Sequence, residues 1–233
     1  MKKTTLVTLV VLGCAAAVAA AESRTLTGSV PAATLEVLTL DSSIGDVEIT
    51  AVEGAREVTI EVQLTPRRGG FFSSKRQAER EVQEAVLSTS VEGSRLDLHI
   101  SPAADGDRRF EEDWRIELPP DLAIQIDHGV GDIVIRNTAS RIEIDSGVGD
   151  VKLEVRGGDI EVELGVGTAA VRAPADAYAR VEGSGGVGDA RLTVRGEKIS
   201  SGGFVGRSAT WKGEGSQDIE VSVGVGDAVI TLD

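Results

Sequence analysis

Five aspartates occupy one position of a recurring Gly-Asp turn: Asp46, Asp132, Asp150, Asp189 and Asp227. Carboxylates repeated in this way can share a cation such as Ca²⁺, or they can accept hydrogen bonds from amides that a turn leaves free. Asp beside Gly ordinarily serves the backbone. Thr168 and Arg207 stand where two further aspartates would complete the row. Capping is therefore the expected role, and a metal row at Asp132, Asp150, Asp189 and Asp227 is the alternative. The Gly-Gly-x-Gly-x-Asp spacing of nine-residue calcium rolls is absent.

Other chemistry has little support. His99 and His128 stand apart from any cluster with metal-ligand spacing. His128 falls on the inward parity of its strand, where Ser146 and Leu164 are its equivalents. The chain has no nucleophile elbow and no phosphate loop. Gly183 to Gly188 lack the helix and basic residue of a phosphate cradle, and they read as one more corner. The expectation is a protein that is not an enzyme and uses no cofactor. A glycan-cleaving enzyme is the less favoured alternative, because such folds need longer loops to build a cleft.

The elements that position the aspartates come from the repeat. Turns fall at Ile44-Gly45-Asp46, Val130-Gly131-Asp132, Val148-Gly149-Asp150, Val166-Gly167-Thr168, Val187-Gly188-Asp189, Val205-Gly206-Arg207 and Val225-Gly226-Asp227. Six residues before each turn is an aliphatic residue (Leu38, Ile124, Ile142, Ile160, Val181, Ile199, Ile219). A fixed period of this kind marks a repeat architecture. In the clearest copy Ile142, Ile144, Ser146 and Val148 share a parity, which then shifts to Val151, Leu153 and Val155. A strand cannot exchange faces without a bend, so Gly149-Asp150 is a corner. Gly157-Gly158-Asp159 makes a second. Coils of 18–21 residues in a β-solenoid satisfy this phase, and so does an antiparallel meander with Gly-Asp hairpins.

Residues 22–123 read as a less regular N-terminal β part, continuous with regular repeats over 124–233. Its exception is a helix over about 75–87, with Ser74 and Gln77 as a capping box and Ala78, Val82, Ala85 and Val86 on one stripe. That stripe is expected to cover an open end or side of the β structure. The C-terminal run Val229 to Leu232 is expected to be an uncovered strand edge through which copies self-associate.

Lys2-Lys3, the apolar run Leu6 to Val18 and Ala19-Ala20-Ala21 read as a signal peptide over 1–21, so the protein is expected to be exported to the periplasm or cell envelope, or secreted. The single cysteine, Cys14, gives a lipoprotein alternative, weakened by the apolar residues after it. The net charge of -14 excludes nucleic acid as a partner, since phosphate contacts need a concentrated basic surface.

The I-x-I-x-x-G-V-G-D-V-x-L pattern, introduced by Arg115-Ile116-Glu117-Leu118-Pro119, resembles the "putative adhesin" family of bacterial β-strand-repeat domains, related to autotransporter adhesin heads. The resemblance spans residues 33–233. It implies an all-β, right-handed parallel β-helix and an envelope protein without shared catalytic residues. The expected function is an adhesin-like binding or scaffold module whose partner is an envelope protein or glycan. A sensor binding a cation or cationic peptide is the alternative.

Overall fold

The structure, a computed structural model, describes residues 23–67, 75–101, 109–199 and 207–233. The signal-peptide reading, Cys14, Ser74 and Gly206 lie outside the described residues. The described residues are all-β apart from one α-helix, α1 (Lys75–Glu84), and a single 3₁₀ turn. Its strands join into one 17-stranded sheet.

Two walls run through the sheet, joined at the Gly-Asp corners. The first contains β6 (Arg95–Ser101), β2 (Val37–Ile44), β8 (Ala123–Val130), β10 (Ile142–Val148), the first half of β12 (Ile160–Ala173), the first half of β17 (Gln217–Leu232) and β13 (Tyr178–Val187), paired parallel in that spatial order. The second contains β7 (Phe110–Leu118), β3 (Val47–Ala51), β9 (Ile133–Arg136), β11 (Val151–Glu154), the second halves of β12 and β17, and β14 (Ala190–Val194). Period-two alternation explains both. Ile142 and Ile144 on one wall, and Val151 and Leu153 on the other, are buried, while Glu143 and Lys152 face out. The buried residues form one largely aliphatic core from Leu26 to Leu232, with Phe110, Trp114 and Tyr178 among them.

The ends are closed by antiparallel strands, so the sheet is mixed and not the uniformly parallel coil expected. At one end β5 (Val86–Glu92) lies on β6, and β4 (Glu57–Pro66) on β7 with β1 (Arg24–Pro31) outside it. At the other, β16 (Arg207–Lys212) lies on β13, and β15 (Glu197–Ile199) on β14. The degenerate repeat around Val205 lies outside the described residues, between these two edge-covering strands. Gly183 and Gly185 are strand residues paired with β16, and the corner of that coil is Gly188.

The coils are not stacked in chain order. β17, the last strand, lies between β12 and the β13–β14 coil, with Val171 and Leu192 both beside Ile230. The expected free edge at Val229 to Leu232 therefore does not exist: the strand is paired on both sides, and Ile230 and Leu232 are buried. Likewise β2 and β3 lie between the β6–β7 coil and the β8–β9 coil.

Helix α1 packs beside β4 and β7, burying Ala78 and Val82, and Ala85 just beyond its end is buried too. It is shorter than expected, because Val86 begins β5 and is exposed. Arg24 Nη1 reaches across to the carbonyls of Gln83 at 2.7 Å and Ala85 at 2.8 Å. A guanidinium there satisfies acceptors that the helix end leaves open.

Candidate interaction face

The corner is built from two glycine ladders. Gly45, Gly131, Gly149, Gly167, Gly188 and Gly226 all have positive φ, between 128° and 149°. A Cβ on Gly149 would overlap the Gly131 carbonyl, one on Gly167 the Gly149 carbonyl, and one on Gly226 the Gly167 carbonyl. Two residues earlier in every coil except that of Gly45, where Ser43 stands, a second ladder is also close: a Cβ on Gly147 would lie 2.5 Å from the Gly129 oxygen. Backbone stacks on backbone at this corner, and side chains are excluded.

The aspartates stitch the corners together. Oδ1 of Asp46 accepts from the Asp132 amide at 3.0 Å, Asp132 from Asp150 at 2.9 Å, Asp150 from Thr168 at 2.8 Å, and Asp227 from Asp189 at 2.9 Å. Thr168 supplies only the amide at its step, so the row tolerates it. Among the described residues no group of three or more metal-ligating side chains converges.

His128 is buried between Ser42 and Ser146 on adjacent coils, one rung inside the corner. Burial lowers its pKa, opposed by the Ser42, Gly45 and Gly131 carbonyls and the Asp46 charge.

The two outer faces differ in charge. Outside the second wall, most carboxylates have basic partners: Glu48 with Arg136 at 2.5 Å, Glu154 with Lys152 at 2.8 Å, Asp233 with Arg172 at 2.5 Å, Asp227 with Arg191 at 3.0 Å. Outside the first wall, two acidic files run along the stack. One is Asp41, Asp127, Asp145 and Glu163 on successive coils. The other is Glu143, Glu161, Glu220 and Glu182. Arg141 bridges Glu143 and Glu161 at 3.3 and 3.1 Å. Among the described residues none of the other six carboxylates has an ion-pair partner. Carboxylates of neighbouring strands stand ~4.8 Å apart along the stack, where like charges repel. The files border a shallow depression of about 350 Å³ that reaches from Thr39 to Glu163.

Sequence reasoning missed this asymmetry, although the signal is regular: an acidic residue stands three positions before the turn aliphatic in four copies and five before it in four. It also placed Val148 on the inward face. The inward set ends at Ser146, and Val148 protrudes, 46% exposed.

With this geometry the chain resembles known structures. The fold is shared. A "putative cell adhesion protein" from Clostridium sporogenes ATCC 15579 matches over 91% of this chain and all of its own, with TM-score 0.54 and 18% identity. A "putative adhesin" from Bacteroides fragilis NCTC 9343 matches over 90% of this chain and 97% of its own, with TM-score 0.34 and 11% identity. No protein-family model and no curated protein matches the sequence.

Proposed function

We propose that this protein is an exported, non-enzymatic, adhesin-like binding module that engages a cationic partner through the outer face of its first wall. Its stacked coils serve as a β-solenoid scaffold. The observation that carries this reading is the pair of carboxylate files, mostly without ion pairs, on a molecule whose opposite face is largely neutralised. Aligned like charges cost folding energy and strengthen the field toward a positive partner. The Lys2-Lys3 and Leu6 to Val18 pattern supports export, and placement in the periplasm or envelope follows from it. The similarity to cell-adhesion-type folds accords with a binding role.

The test is retention of envelope components by immobilised protein (residues 23–233), compared with a variant carrying Asp127→Asn, Asp145→Asn, Glu143→Gln and Glu161→Gln. The expected result is a retained basic component, released by moderate salt and absent from the variant. Equal retention by both proteins rejects this face as the site. Release of reducing ends from envelope glycans would replace the binding module with an enzyme.

A further inference from the structure

A second feature runs beside the acidic files. Val130, Val148, Val166, Val225 and Val187 are in register on adjacent coils, extended by Ile44. Each valine is 45–68% exposed. They protrude because glycines flank them on both sides and the stacked corner backbones leave no inward space. Among the described residues nothing folds over them: α1 packs on β4 and β7, and the edge strands lie on β13 and β14. The result is an unbroken aliphatic ridge along the six coils, about 24 Å at ~4.8 Å per strand. Such an exposed apolar stripe with a charged border marks a contact surface.

We propose that this ridge and the acidic file beside it form one docking surface for a cationic amphipathic helix of a partner protein, lying along the stack. The inference rests on the acidic-face reading above and specifies its partner. Three dimensions agree. A ridge of 24 Å matches about 16 helical residues at 1.5 Å each. The helical pitch of ~5.4 Å nearly matches the ~4.8 Å valine spacing, so successive apolar turns meet successive coils. Asp127, Asp145 and Glu163 precede their valines by three residues, about 10 Å along the strand, comparable to a helix diameter of ~10–12 Å. A helix seated on the ridge brings lysines on its flank over the carboxylates. Charge selects this occupant. A second copy or an anionic bilayer would set like charges against the files, on a chain of net charge -14.

The probe is a synthetic 16-residue Leu/Lys amphipathic helix, with a scrambled peptide of equal composition and a Leu/Glu version as controls. Binding to residues 23–233 is read by fluorescence anisotropy over a salt series. The expected result is that the amphipathic peptide binds at least tenfold more tightly than the scrambled one and the Leu/Glu peptide does not bind. Val130→Ser, Val148→Ser and Val166→Ser together should cost at least tenfold with an unchanged unfolding midpoint. Asp127→Asn, Asp145→Asn and Glu163→Gln together should also weaken binding and flatten its salt dependence. Equal binding of the scrambled peptide overturns the ridge proposal and leaves the acidic face standing. No binding of either lysine peptide overturns both. Association of the chain with itself, or its binding to anionic vesicles, either one abolished by the valine substitutions, would give the ridge to another occupant and overturn the proposal.

Discussion

Replacing Gly149 by alanine isolates what the corner demands of the sequence. Gly149 has φ 146°, and a Cβ there overlaps the Gly131 carbonyl of the neighbouring coil. The backbone strain costs about 1–3 kcal/mol. Relief of the overlap requires the coils to separate, which strains the Gly131 amide bond to Val148 oxygen at 2.9 Å and the Asp150 amide bond to Asp132 at 2.9 Å. Each is worth about 0.5–1.5 kcal/mol net. The combined loss is about 4 kcal/mol, a large part of the 5–15 kcal/mol typical of a domain. Gly54 is the control, since its φ is 74° but nothing lies within 4 Å of a Cβ there. Gly54→Ala should cost about 1 kcal/mol, from backbone strain alone. Urea unfolding of both variants gives the comparison through midpoint and slope. If Gly149→Ala falls within about 1 kcal/mol of Gly54→Ala, close coil stacking is not what fixes glycine at the corner.

Acid should destabilise the protein through His128: its folded pKa is lowered by burial, so the unfolded chain binds more protons as pH falls below about 6.5, and stability declines from there toward the folded value. In urea melts at pH 7.5 and 5, His128→Leu, which copies Leu164 on the same rung, should lose part of that decline; an unchanged pH slope refutes the assignment. Millimolar calcium should leave the thermal midpoint unmoved, because the turn aspartates already accept backbone amides, and a rise would return the row to cation binding. A chain ending at residue 212 should lose hydrogen-exchange protection in β12, β13 and β14 alike, since all three pair with β17. Protection retained in β13 and β14 would contradict the inserted position of that strand. Arg24→Ala should cost about 1–2 kcal/mol by freeing the carbonyls at the end of α1, seen as a lower urea midpoint.

Much of the local structure is legible because it is written at short range. Alternation in Ile142-Glu143-Ile144 specifies a strand with one buried face, and Gly149-Asp150 specifies where it turns. The helix is legible too, but not its end: Val86 continues the helical stripe, yet pairing with Ser101 draws it into β5. The parity argument placed Val148 with the core because it carried the strand face one residue too far. The bend begins at Gly147, where backbone contact between coils sends the next side chain outward.

The sequence by itself determined the unit: strand, glycine corner, strand, with aliphatic residues inside and carboxylates at fixed offsets outside. Only the tertiary structure decided the order of the units. Ile160 pairs with Ile219 as well as with Ile142, and Val166 with Val225 as well as with Val148, so each coil presents nearly the same edge to any other. No local pattern could say that β17 belongs between β12 and β13. That choice rests on long-range pairing and on the antiparallel strands that close the ends, and it is what aligns the valines and carboxylates of distant segments into continuous files.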